Sequence, residues 1–487
     1  MEALVQLLLT LGLVILVFLL AFFPPSTTRH SRPAATPTQR TTVVTDPDVA
    51  RLMLSDHADS FSNRPTAQYP KDFSESHSIT SVPYGPKWRA LRGNLTADIL
   101  HPTRLGLLVP LRQEAVDALI ARLSTQQATG GEVVVVRDSL HAAVFAMTVR
   151  MCFGDGVGER CVRAMEREVI QFISTFVGDS ALLAGSSRMT RLLHWRRWLR
   201  YSGTFSRVSK IILPVITARQ QRRRCTNGGG GTGIRSYVDS LLDLRIPDNH
   251  GDDAMAGSKR PLTDKEIVRL VFEFLGANTE STVSCVEWTL AYLVIHPEAQ
   301  KKLHHEITSV QHGKGMPASE ERLHHRLPYL RAVILESLRL HAPVPVIMRD
   351  VGADDAAVCG TPAASADGAP VLFVADIREI GRNRKAWTDP DEFCPERFLA
   401  GGEAEGVGPV PGPKEIRMVP FGAGRRYCPG VGLGMVHVGC FLAALVRVFE
   451  WALPADCDGV DLTEFRALFT LMKTPLRARI TPRALAM

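Results

Sequence analysis

Cys428 stands in the stretch Phe421-Gly422-Ala423-Gly424-Arg425-Arg426-Tyr427-Cys428-Pro429-Gly430, just before the apolar, helix-like run Val431 to Phe449. A thiolate in a tight loop at a helix start is stabilised by backbone N–H groups and the helix dipole. With Arg425 and Arg426 adding positive field, Cys428 is expected to ionise more readily than an ordinary thiol and to be able to bind a metal. The glycines let the backbone turn sharply and come close to a large flat ligand. One cysteine among nine is, taken alone, more often a small buried hydrophobe.

Three other groups of residues have spacing that could serve chemistry. Trp88 and Arg92 are four apart and share a helix face. The run Ala277-Asn278-Thr279-Glu280-Ser281-Thr282 puts hydroxyls, an amide and a carboxylate in the middle of a long apolar helix. Such side chains can hydrogen-bond the preceding turn, so this part of the helix is expected to be loosened, leaving space for oxygen and water. Glu336 and Arg339, three apart, can pair on one helix face, and Pro395-Glu396-Arg397-Phe398 follows about thirty residues before the cysteine. On a surface such a pair contributes only a few tenths of a kcal/mol.

Phe421, Gly424, Arg426, Cys428 and Gly430 match the haem-binding signature F-x-x-G-x-R-x-C-x-G of the cytochrome P-450 (haem-thiolate monooxygenase) superfamily. From Thr41 onward the chain resembles this family, and most of all its plant microsomal members. The resemblance implies a mainly α fold with a small β-rich subdomain, and b-type haem between the long helix and the cysteine loop. Cys428 would be the iron ligand, with Phe421, Gly424, Arg426 and Gly430 around the cofactor and Trp88, Arg92 and Arg349 at its propionates. Glu280 and Ser281 would relay protons to bound oxygen, and Glu336, Arg339 and Arg397 would form a structural lock. The activity implied is hydroxylation of a small hydrophobic molecule with O2 and electrons from NADPH-cytochrome P-450 reductase. Phe274, Val344, Ile347, Phe469 and Leu471 are the pocket candidates.

The chain departs from the family pattern at Asn278, where glycine is usual, and at Ser281, where threonine is usual. Asn278 is expected to crowd or reorient the pocket. These changes leave open an isomerase or dehydratase reaction without oxygen activation. The segment before Thr41 is short for the family's first helix and opening strands, from a truncated gene model or an entrance lacking part of its wall; this leaves open a non-enzymatic or defective haem protein.

The elements that must position these residues are legible in outline. Residues 1–23 include the apolar run Ala3 to Phe23, long enough as a helix to cross a bilayer, followed by a Pro/Ser/Thr/Ala-rich linker at 24–40. A start of Met1-Glu2 without a basic region and an end of Phe22-Phe23-Pro24-Pro25 without a small-residue cleavage site predict an uncleaved anchor. Arg29, Arg32 and Arg40 place the domain after it, 41–487, on the cytosolic side, and the resemblance to microsomal members implies the endoplasmic reticulum membrane. Nine cysteines without a C-x-x-C pair fit a reducing compartment, and a net charge of +7 without a nucleic-acid module points to a membrane surface or an acidic partner, with no nucleic acid. Thr263 and Glu266 form a capping box from which helical periodicity runs to about Ile295, ended by His296-Pro297. Ser187 to Tyr201 interleaves aromatics with arginines, read as a second membrane contact or an exposed basic helix. The His304-His305 and His324-His325 pairs are read as surface residues, since neighbours on a helix point apart.

Overall fold

The structure is a computed structural model that describes residues 41–65, 78–183, 188–225, 235–248, 258–310, 326–356, 371–412 and 415–483. The expected anchor, the linker and His324-His325 lie outside these residues. The helices that carry the architecture are α1 (Pro86–Asn94), α2 (Val109–Gly130), α3 (Val136–Phe153), α4 (Glu159–Leu183), α5 (Trp195–Cys225), α6 (Asp264–Ile295), α7 (Pro297–Val310), α8 (Pro328–Leu340) and α9 (Val431–Val448). Before, between and after them run strands β1 (Thr41–Val44), β2 (Val133–Val135), β3 (Val346–Val351), β4 (Val371–Asp376), β5 (Phe449–Ala452), β6 (Glu464–Arg466), β7 (Thr470–Met472) and β8 (Arg477–Pro482).

Helix α6 starts where the capping box puts it. The Thr263 hydroxyl accepts from the Glu266 N–H while the Glu266 carboxylate accepts from the Thr263 N–H, satisfying two donors that a helix start leaves unpaired. The helix is apolar on nearly every side because α3, α4, α5, α8 and α9 all pack on it. Each fully buried side chain such as Leu275, Val286 or Leu293 contributes about 1.5–3 kcal/mol of burial. The expected loosening is not seen, for α6 runs unbroken through Ala277–Thr282. The Ser281 hydroxyl donates to the Ala277 carbonyl at 2.6 Å without opening the turn.

The β-rich part is small. In one sheet β1 runs parallel to β4, with Thr41 opposite Leu372, and β4 pairs antiparallel with β3, with Ile347 opposite Ala375. A second sheet has the order β2-β8-β5, and β6 and β7 form a hairpin. The first sheet packs with Met53, Leu54, Phe61 and Val419 into a minor core beside the cysteine loop, separate from the main helical core.

Among the described residues only α9 is long and apolar enough to cross a membrane, and with 72% of that window buried it is a core helix. The basic run Arg222 to Arg224 belongs to the last turn of α5, where Arg223 pairs with Asp243 at 2.8 Å. The arginine-aromatic stretch splits at His194 into a short helix, Arg188–Leu193, and the start of α5; Met189, Leu193, Trp195 and Leu199 are all exposed.

Candidate active site

The cysteine loop is closed by backbone. The Cys428 N–H donates to the Phe421 carbonyl at 2.8 Å, and Gly422 and Gly424 take φ of 71° and 69°. At Gly424 a Cβ would lie 2.1 Å from the Leu54 carbonyl oxygen. Glycine there is required by the left-handed turn and by close packing on the N-terminal segment. Gly430 caps α9 and its N–H donates to the Cys428 Sγ at 3.3 Å. The Phe421 ring lies against Gly434 of α9, where a Cβ would be 3.4 Å from it.

The expected electrostatics of the thiol are reversed. Burial pushes the Cys428 thiol above its ordinary pKa, and the Gly430 N–H, Arg92 and Arg64 only partly offset it. The two neighbouring arginines do not relieve this burial. Arg425 turns outward to Asp59 at 2.7 Å, and Arg426 donates to the carbonyls of Ser62, Ile79 and Val82 at 2.8, 3.0 and 2.7 Å. Arg92, from α1, is the arginine that approaches, donating to the Tyr427 carbonyl at 2.8 Å and lying over the Tyr427 ring. A bound metal cation inverts this balance, since a coordinating thiol is deprotonated outright.

Beside the loop sits a concentration of positive charge whose nearest acid, the buried Glu273, acts on Arg426 and Arg64 from a distance without pairing with them. Arg92, Arg349 and Arg426 are each held below the ordinary arginine pKa by burial, with Arg64 repelling all three; Arg426 is brought to about 10. Arg349, only 2% exposed, donates to the Met348 carbonyl at 2.9 Å. None of these four makes an ion pair with a carboxylate among the described residues. Trp88 lies beneath Arg92 and Arg426, at 5.7 and 5.0 Å from its ring, and its buried Nε1–H has no hydrogen-bond partner among the described residues. Buried cations and an orphaned donor in one place cost stability unless an anion meets them. Carboxylates are anions of the right kind, since guanidinium forks match them.

On α6, Ala277 and Ser281 are the positions open to solvent-accessible space in a stretch whose neighbours are buried. Glu280, one residue away, instead turns toward α3 and meets His141 Nε2 at 2.8 Å. The expectation that Asn278 crowds the pocket is corrected: its amide donates to the Thr148 hydroxyl of α3 at 2.8 Å, because α3 packs on this side of the helix. His141, which no spacing in the sequence singles out, and Arg64 are the site residues that sequence reasoning misses.

Glu336, Arg339 and Arg397 come together. Arg339 grips Glu336 with Nε and Nη2, both at 2.7 Å, and donates to the carbonyls of Gly381, Pro390 and Glu392. Arg397 reaches the same carboxylate at 3.3 Å and also pairs with Glu403. The Cys394 N–H adds a donor at 2.9 Å, so the segment leading back toward the cysteine loop is tied to α8.

Residues 35–480 match the Cytochrome P450 family model. The chain belongs to the cytochrome P450 family. It is 36% identical over 447 residues to Cytochrome P450 89A9 of Arabidopsis thaliana, covering 90% of this chain and 84% of that protein. It is 31% identical to Cytochrome P450 78A1 of Zea mays, with 90% and 77% covered, and 30% identical to the 2-hydroxyisoflavanone synthase of Glycyrrhiza uralensis, with 84% and 75% covered. A zebra fish cytochrome P450 structure with abiraterone aligns at a TM-score of 0.68 and 20% identity, covering 93% of this chain and 96% of that one, a likeness of fold. The protein is thus a P450 monooxygenase of plant type whose cofactor is haem b, and the mainly helical fold with small sheets is the one the sequence implies. The residues fit the group, as the buried arginines without a carboxylate partner among the described residues and the Trp88 Nε1–H suit its propionates, and the Cys428 sulfur is the soft donor its iron takes.

Proposed function

We propose that this P450 hydroxylates a small hydrophobic molecule, using O2 and electrons delivered from NADPH by cytochrome P-450 reductase, at the cytosolic face of the endoplasmic reticulum membrane. The observation that carries this reading is the group of buried arginines beside a loop cysteine that, among the described residues, make no ion pair with a carboxylate, with the Trp88 N–H left without a partner there. Haem b, when bound, supplies the redox chemistry, and its thiolate ligand favours O–O cleavage.

The chain's own residues supply the rest. Cys428 is the iron ligand, its sulfur held by the Gly430 N–H. Phe421, Gly424 and Gly430 shape the loop; Arg426 ties it to the carbonyls of Ser62, Ile79 and Val82. Arg92, Arg349 and Trp88 bind the propionates. Ser281, on the open face of α6, holds water and passes protons that Glu280 supplies. Val344 is exposed, Leu471 half-buried, and Ile347, Phe469 and Phe274 are buried; these apolar side chains are the substrate contacts and exclude water. The exposed Met189, Leu193, Trp195 and Leu199 among arginines support a second contact with the membrane surface.

The test is reconstitution with the reductase and NADPH in vesicles, with ligands first chosen by Soret shift. Oxygen-dependent product in step with NADPH use supports the reading. Product without oxygen, or ligand shifts with no turnover across the panel, contradicts it.

A further inference from the structure

The Glu280 carboxylate does not stand alone. His141 on α3 lies between two acids, with Nε2 at 2.8 Å from Glu280 Oε1 on α6 and Nδ1 at 2.7 Å from Glu166 Oε1 on α4. A neutral imidazole has one donor and one acceptor nitrogen. Two such contacts to carboxylates therefore need a proton in each, and the cluster stores a proton that a lone Glu280 would lack. The side chains run from inside outward, with Glu280 6% exposed, His141 8% and Glu166 19%. The His141 ring is further fixed by stacking on Phe145, 5.9 Å between centroids and 12° between planes.

We propose that His141, clamped by Glu166, is the positioning residue that stores and supplies protons to Glu280 from the α4 side of the molecule. This rests on the reading of Glu280 as the acid that serves the oxygen side. In the step, the Nε2–H bond breaks and an O–H bond forms on Glu280. The ring, now neutral, keeps its Nδ1–H on Glu166. When Glu280 has handed its proton on through Ser281, the ring regains one from solvent, which reaches the cluster at Glu166.

The charges that bear on the ring come from two helices. Burial opposes a charge on His141, but Glu166 and Glu280 outweigh it and raise its pKa to about 9. Other charged groups on the packed elements are engaged elsewhere. Arg137 of α3 holds Glu287 of α6, Arg150 of α3 holds Glu114 of α2 and Asp155, and Arg207 of α5 holds Glu168 of α4. From the helix Tyr237–Asp243, Asp239 is held by Arg219. The imidazolium is thus the group that sets the proton inventory here.

The first test is NMR of histidine-labelled ferrous carbonmonoxy protein, titrated from pH 6 to 11. The His141 resonance is expected to titrate near 9, and in Glu166→Gln to move down by a unit or more. Titration at or below 6.5 in the unsubstituted protein overturns the proposal. The second is reductase-driven NADPH oxidation under air without added substrate, in H2O and D2O. His141→Gln is expected to slow it about tenfold or more, raise the solvent isotope effect and abolish the decline above pH 9. Should His141→Gln fail to fold, Glu166→Gln is expected to slow the oxidation by a smaller factor, raise the isotope effect and move the decline to lower pH by a unit or more. A variant with an intact thiolate-type carbonmonoxy band and unchanged rate, isotope effect and pH profile overturns the proposal. Absence of that band in the unsubstituted protein would instead overturn the haem-thiolate reading.

Discussion

Replacing Arg339 by Leu tests how much of the cysteine loop's order is borrowed from the lock beneath it. The guanidinium has no exposed surface and makes five hydrogen bonds, two to Glu336 and one each to the carbonyls of Gly381, Pro390 and Glu392. Removing one partner of a buried pair costs about 3–5 kcal/mol, chiefly because the other charge is left uncompensated. Here Arg397 stays 3.3 Å from Glu336, which softens that penalty, while three carbonyls lose their donor at about 1–3 kcal/mol each at most. These effects overlap, so about 4 kcal/mol is a fair sum, roughly a thousandfold in the folding equilibrium. That is a large part of the ~5–15 kcal/mol that holds a typical protein folded. The assay is urea unfolding followed by haem absorbance and by far-UV circular dichroism. Arg339→Lys, keeping the charge and losing the fork, should recover only a minor part. A loss under about 1 kcal/mol in Arg339→Leu, with haem retained, would refute the idea that this network orders the loop.

Other expectations follow from single contacts. Gly424→Ala must relieve a Cβ 2.1 Å from the Leu54 carbonyl at a left-handed φ, so the loop should shift, costing at least about 2 kcal/mol and much of the haem occupancy in absorbance titration. Trp88→Phe removes a donor with no partner among the described residues, so apoprotein stability should be nearly unchanged while haem transfers faster to apomyoglobin. Arg349→Met relieves a buried cation, so the apoprotein should unfold at higher urea while the holoprotein loses haem more readily. The His141 pKa is raised on folding, so its stabilisation is complete below pH 6.5 and disappears as pH climbs through about 9. Unfolding free energies at pH 6 and pH 10 should show that loss, and His141→Gln should remove it.

Local patterns in the chain were readable because they need only neighbours. The capping box at Thr263 and Glu266, the Glu336–Arg339 spacing and the cysteine loop ahead of α9 all act within a few residues. What depends on distant packing was not. Gly424 answers to Leu54, far earlier in the chain, and Arg425 is drawn outward by Asp59. The direction of Asn278 and Glu280 follows from α3 packing on that side of α6, which brings Thr148 and His141 to them. The thiol's raised pKa likewise reflects desolvation that no motif records. Trp88 and Arg92 were legible as a pair, but Arg64, which joins their charge group, carries no signature of its own.

The most direct measurement is the reduced, carbon monoxide-treated spectrum of Cys428→Ala. In protein whose circular dichroism shows it folded, the thiolate-type band should be absent, since the iron has lost its sulfur ligand. A folded Cys428→Ala protein that keeps that band would contradict the assignment of Cys428 as the ligand.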